Sequence, residues 1–234
     1  MMISPACRAA FEAHALRDFP RESCGVIAGG AYVPLPNAAA DPQHTFVIPD
    51  DAWALWRDKA EAVVHSHPNG PAHPTRSDME GQIATDIPWV IVATDGVACA
   101  DPIVWGDGTA RPGLIGRSFV HGVTDCYALI RDYFHQERGI RLPDFPRDDS
   151  WWTEGGNLYL ENFGRAGFTM VPLEDLAAGD AVLMQVRAPV PNHAGVVLGD
   201  GLILHHLQER LSRREPLGPW LRFVTHALRY QETP

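Results

Sequence analysis

The chain is short of positive charge, of cysteine and of long apolar runs, and each shortage excludes something. Lysine and arginine total 19 against 29 aspartates and glutamates, a net charge of −10 at pH 7. An acidic surface repels phosphate backbones, so nucleic acid is not an expected partner. The one short basic stretch, Arg210, Arg213 and Arg214, is interrupted by Glu209 and Glu215 and reads as a solvated face. No run approaches the roughly 18 apolar residues of a membrane span; the best, 87–94, stops at Asp95. Residues 1–20 carry Arg8, Glu12, His14, Arg17 and Asp18 and lack the basic start and apolar middle of a secretory signal. The expectation is a chain made in the cytoplasm and not exported by a signal of its own. Four cysteines, Cys7, Cys24, Cys99 and Cys126, form no C-x-x-C pair, which argues against a disulfide framework or a cysteine-only zinc site. There is no internal repeat, no low-complexity tract and no glycine-rich phosphate loop, since 195–201 lacks the spacing and the following helix.

What remains is ordinary globular material: 45% hydrophobic and 21% charged residues, too apolar for general disorder. At roughly 150 residues per domain, the 234 residues amount to about 1.6 domains. Helical spacing over 5–19 ends at Pro20, and 24–28 and 31–35 flank Gly29-Gly30 as a hairpin. A strand is expected at 46–48, a helix over 52–59 capped by Asp50-Asp51, a strand over 62–66, a proline-rich loop over 68–74, a helix over 78–84, and strands over 89–93 and 97–104. Residues 106–116, with four glycines and a proline, have the most linker-like composition. Beyond them come a helix over 126–137 capped by Thr124 or Asp125, a helix over 158–163, a strand over 181–186, and a hairpin of 193–198 and 202–206 around Asp200-Gly201. The fold class is α+β in two domains, 1–108 and 117–234, joined by a linker over 109–116.

Two constellations carry chemistry. His65-Ser66-His67-Pro68 ends a strand, where period two puts both imidazoles on one face. Eleven residues on, Asp78 opens a helix. Two imidazoles and a carboxylate suit Zn²⁺ with a fourth position left for water, and Glu22, just after the first helix, is available as a base; the competing reading is a surface histidine pair with Asp78 as a helix cap. His73, between prolines, is read as exposed, and Cys24, opening an apolar strand, as a small core residue. In the second constellation Cys126 lies in the first turn of an apolar helix, whose positive end favours the thiolate. His193 and His205 lie twelve apart in a hairpin centred on Gly199, and an odd loop puts them on one face, opposite to His206. Nucleophile, base and orienting group make a thiol peptidase; the alternative is a buried cysteine with two ordinary strand histidines. Trp151-Trp152 reads either as half-buried packing or as the wall of a groove.

The run H-S-H-P-N-G-P-A-H-P-T-R-S-D resembles the JAMM (MPN+) metallopeptidase motif, and 20–25, P-R-E-S-C-G, resembles that family's upstream glutamate segment. The resemblance implies an MPN-like (cytidine-deaminase-like) domain in which His65, His67 and Asp78 hold Zn²⁺ and Glu22 is the general acid/base. Thr75 stands where the family usually has serine, its hydroxyl implied to bond the metal-bound water or oxyanion. The runs G-V-T-D-C-Y-A-L-I-R (122–131) and N-H-A-G-V-V-L-G-D-G (192–201), followed by His205, resemble the NlpC/P60 cysteine peptidases. That resemblance implies a papain-like core with Cys126 as nucleophile, His193 as base and His205 as its orienter, acting on peptidoglycan stem peptides. The two families in this order resemble tail-associated proteins of lambda-type bacteriophages. This implies synthesis in a host cytoplasm, other tail-tip proteins as partners, and action at the bacterial wall from the virion tail tip. Two further readings stand beside it: a structural assembly component using its domains as interaction surfaces, and a cellular deubiquitinase-like or amino-acid-releasing enzyme, which accounts for the first domain only.

Overall fold

In the computed structural model, which describes residues 3–232, helix α1 runs Pro5–Asp18. The Ser4 hydroxyl accepts the Cys7 amide as its cap. The chain divides into two compact units, Met1–Ala110 and Arg111–Pro234. In the first, β1 (Cys24–Ala28) and β2 (Ala31–Leu35) form the expected hairpin. Gly29 and Gly30 both have positive φ, 58° and 73°, as a two-residue turn matched to strand twist requires. With β3 (Ala62–Pro68), β4 (Trp89–Thr94) and β5 (Ile103–Trp105) they make a sheet of order β2-β1-β3-β4-β5. Only β3 and β4 run parallel, joined by α3 (Arg76–Thr85). Cys7, Phe11 and Ala15 of α1 bury against Ile27, Val64, Val90 and Val92 of the sheet.

Three local expectations fail here. Residues 46–48 form no strand, because the Val47 amide goes to the Asn37 side chain and its carbonyl takes the Ala38 amide. Helix α2 (Asp50–Trp56) has Pro49 in the cap position, so the two aspartates lie in its first turn and do not cap it. The strand over 97–104 shrinks to β5 and one bridge, Thr94 to Cys99. The Asp95 carboxylate takes the amides of Val97 and Ala98 and turns the chain there.

In the second unit, α4 (Cys126–Arg138) packs on a six-stranded antiparallel sheet. Its strands are β6 (Phe168–Val171), β7 (Ala181–Met184), β8 (His193–Val197), β9 (Leu202–His205), β10 (Arg213–Pro216) and β11 (Val224–Tyr230), in the order β10-β9-β8-β7-β11-β6. Tyr127, Ile130 and Phe134 of α4 bury with Phe168, Leu183, Ala194, Val196 and Leu228. Short α5 (Leu158–Asn162) lies where a helix was expected. Part of the stretch read as a solvated face, Arg213 to Glu215, lies in β10, an edge strand, where arginines and a proline are tolerated. The glycine-rich segment is not loose throughout: Leu114 is buried with Leu129 and Leu204, and the Gly116 amide bonds the Ser212 carbonyl. Among the described residues no helix is long and apolar enough to cross a membrane.

Candidate active sites

The first site is set by strand register. β1 and β3 pair antiparallel with Cys24 opposite His65, a register that carries Glu22 opposite His67. The Ser66 hydroxyl accepts the Ser23 amide at 2.9 Å and fixes the strands where Glu22 enters. His65 and His67 share a face, and α3 brings Asp78 to them. Asp78 oxygens lie 3.1 Å from His65 Nε2 and 3.3 Å from His67 Nε2, and the two imidazole nitrogens are 3.0 Å apart. All three residues are buried. His67 Nδ1 donates to the Pro71 carbonyl at 2.8 Å, so its Nε2 presents a lone pair to the cluster. Lone-pair donors converging within 4.8 Å in a dry site repel one another unless a cation sits among them. The donor set fits Zn²⁺.

Burial pushes His65 down more than Asp78 raises it, whereas for His67 the bonds to Asp78 outweigh burial and the shift is upward. Burial would raise Asp78, but the two imidazoles hold it well below the usual carboxylate range. Glu22 is pushed up to about 7, chiefly by burial, with His67 pulling down and Asp78 pushing up.

Thr75 has a structural part besides the one the resemblance implies. It is the N-cap of α3, its hydroxyl accepting the Asp78 amide and donating to Asp78 Oδ2 at 2.7 Å. It orients a candidate ligand, and its oxygen keeps one lone pair for a further donor. The signal was present as a T-x-x-D capping box. His73 is half-buried, not exposed, and stays outside the cluster. Phe46, Trp89 and Trp105, which no local pattern singled out, enclose His65, with Phe46 stacked at 4.6 Å between centroids. Cys24 is a core thiol donating to the Leu35 and Pro36 carbonyls.

The second site lies where α4 meets β8. Cys126 is the first residue of α4, capped by Asp125, whose carboxylate accepts the amides of Ala128 and Gly122 and the Arg147 guanidinium at 2.8–2.9 Å. The thiol sits 3.1 Å from Tyr159 Oη. Contrary to the sequence expectation, it is pushed up to about 11: desolvation dominates, Asp125 adds to it, and Tyr159, Arg147 and the Ala194 amide work the other way. The helix terminus is present, but its cap is itself an anion.

His193 Nε2 lies 3.0 Å from His205 Nδ1, and His205 Nε2 lies 2.6 Å from Glu215 Oε1, which also accepts Trp220 Nε1 at 3.0 Å. Burial pushes His193 down to about 3, and it lowers His205 despite Glu215. The two rings share a face as parity required, but the hairpin is centred one residue later than expected. Gly195 is opposite His205, so His193 is a diagonal neighbour of His205. Gly195 must lack a side chain: a Cβ there would lie 2.8 Å from Ile203 Cδ1 and 3.0 Å from His205 Cβ. His206 bonds the Arg210 carbonyl through Nε2. A cavity of about 390 Å³ is lined by Cys126, His193, His206, Tyr159, Trp151 and Trp152 among others. The two tryptophans are therefore half-buried and also wall the cavity. Among the described residues no imidazole hydrogen-bonds the thiol. Tyr159, Arg147, Glu215 and Trp220 escaped sequence reading, because only tertiary pairing brings them here.

Comparison with known proteins fits this geometry. The profile described as NlpC/P60 family matches residues 101–229, and that described as prokaryotic homologs of the JAB domain matches 4–102. Tail tip assembly protein K of Escherichia phage N15 is 35% identical across 95% of this chain and 93% of its own length. The chain belongs to the tail tip assembly protein K family, and its second unit to the NlpC/P60 family. Tail tip assembly protein K of Escherichia phage lambda is 43% identical over 71% of this chain and 79% of its own length. The first unit is also similar to CysO-cysteine peptidase of Mycobacterium tuberculosis (strain ATCC 25618 / H37Rv), 32% identical over 36% of this chain and 67% of that protein. Both domains come from peptidase families, which places the chain among hydrolases in general terms.

Proposed function

We propose that this chain is a tail-tip peptidase with two centres. The second unit cleaves peptidoglycan stem peptides with Cys126, and the first is a zinc-dependent (iso)peptidase whose substrate is a protein of the tail. The observation that carries the reading is the hydrogen-bonded row His193–His205–Glu215, whose first member lines one cavity together with the thiol at the start of α4. With Cys126 kept neutral by burial, the thiol loses its proton to His193 as sulfur attacks the scissile carbonyl. The imidazolium then protonates the leaving amine, and His193 next draws a proton from the water that hydrolyses the thioester and restores the thiol. The cavity has room for a peptide and two indole faces on its wall, features suited to a stem peptide entering beside the thiol.

In the first unit His65, His67 and Asp78 would hold Zn²⁺, which when bound supplies Lewis acidity. Glu22, titrating near neutrality, takes a proton from water and returns it to the leaving amine, while Thr75 holds Asp78 in place. Other tail-tip proteins are the expected partners and the bacterial wall the place of action. The proposed domain limits are 1–108 and 117–234, and the segment between them is where a protease is expected to cut first, before Leu114. The test is hydrolysis of a purified uncrosslinked muropeptide by the full chain, with products identified by mass spectrometry. Cleavage of a stem-peptide bond by the native chain and none by Cys126→Ser supports the reading. Equal cleavage by both, or none by either, leaves the second unit as an assembly surface.

A further inference from the structure

We propose that Glu215 is a positioning residue for the thiol centre, setting through His205 which nitrogen of His193 is free to take the proton from Cys126. The proposal rests on the thiol-peptidase reading of the second unit. It starts from what each group can donate. A carboxylate only accepts, so the 2.6 Å contact of Glu215 Oε1 requires a proton on His205 Nε2. A neutral imidazole has one such proton, which leaves His205 Nδ1 as an acceptor. Across the 3.0 Å contact, His193 Nε2 must therefore donate. That leaves Nδ1 as the lone pair of His193, on a ring that lines the cavity with Cys126. Both rings are buried, which favours their neutral forms, each with a single proton, at neutral pH.

Without Glu215 the order can invert. His205 could then carry its proton on Nδ1 and donate to His193, whose own proton would move to Nδ1 and close the base. Trp220 holds the carboxylate in place. Its indole N–H donates to the same Oε1 at 3.0 Å, and its ring lies edge-on to His205 with centroids 4.5 Å apart. Glu215 reaches His205 because β10 pairs with β9 with Arg213 opposite His205 and Glu215 opposite Ile203, two positions away on the same face. Arg214, between them, is exposed.

The test uses the full chain with ¹⁵N-labelled histidine. Long-range ¹H–¹⁵N spectra at pH 7.5 report which ring nitrogen carries the proton, and muropeptide cleavage is measured on the same samples. The native chain is expected to show His205 and His193 both protonated on Nε2. Glu215→Ala should give mixed tautomers at both rings and lower kcat by about 100-fold with KM nearly unchanged. Glu215→Gln, which keeps an acceptor, should restore the native tautomers and most of the rate, and Arg214→Ala should change neither. A native His193 protonated on Nδ1, or a Glu215→Ala chain with native tautomers and native kcat, overturns the proposal. Should Glu215→Ala fail to fold, the native and Glu215→Gln spectra decide. If the native chain cleaves nothing, the peptidase reading fails by itself, while the tautomer readout still judges this one.

Discussion

The clearest structural consequence of the thiol centre lies beneath it, at Asp125. Both Asp125 and Arg147 are only 3% exposed, and Asp125 serves at once as cap of α4 and counter-ion. Asp125→Ala removes an N-cap, a loss of about 1 kcal/mol. It also breaks a buried ion pair, which typically costs about 3–5 kcal/mol. Asp144 and the Phe145 carbonyl still hold the guanidinium, at 3.0 and 2.6 Å, so the pair term belongs at the low end and the total is about 3–4 kcal/mol. Burial alone would raise Asp125, but Arg147 holds it well below the usual carboxylate range. Stability from that depression is fully present above the unfolded pKa of about 4 and is lost as pH falls through the folded value. The gap between native and Asp125→Asn should thus be flat from pH 8 to 5 and close only in stronger acid. Urea titration read by pulsed hydrogen exchange, with peptides from α4, follows the second unit on its own. A loss under about 1 kcal/mol for Asp125→Ala, or a gap that closes above pH 5, would refute the argument.

Other outcomes follow from the same geometry. Metal analysis after dialysis should find zinc retained by Glu22→Gln and lost from Asp78→Asn, because one residue works on water and the other is a ligand. Cys126, with its thiol near 11, should react with iodoacetamide at pH 7 roughly 100-fold more slowly than a free thiol of pKa about 8.5, with a rate climbing as pH rises; fast labelling in mild acid would contradict this. Gly195→Ala should destabilise the second unit by about 1–3 kcal/mol through overpacking against Ile203 and His205, measured by the same titration.

What could be read from the chain was what neighbours in sequence decide. The Gly29-Gly30 turn, the shared face of His65 and His67 and the cap before Cys126 each depend on a few adjacent residues, and the structure places them so. Glu215 was hidden because its meaning needs β10 paired to β9; alone, a glutamate among arginines is indistinguishable from solvated surface. The thiol's shift was misjudged for a related reason. A helix start is visible in sequence, but the burial that outweighs it arises only once the chain has folded around the thiol. Residues 46–48 failed as a strand because one side chain, Asn37, took the hydrogen bond a neighbouring strand would have made. The cap use of Thr75 is written in the T-x-x-D spacing itself, which local residues decide.

Everything proposed for the second unit turns on Cys126 as the nucleophile of a site shaped for a stem peptide. The direct measurement is a stem-peptide mimic carrying an acyloxymethyl ketone, incubated with the full chain and mapped by tandem mass spectrometry. One adduct is expected, on Cys126, formed in step with loss of muropeptide cleavage, slowed by excess muropeptide and indifferent to zinc chelation. An adduct on Cys7, Cys24 or Cys99, or cleavage that persists once Cys126 is fully modified, would contradict it.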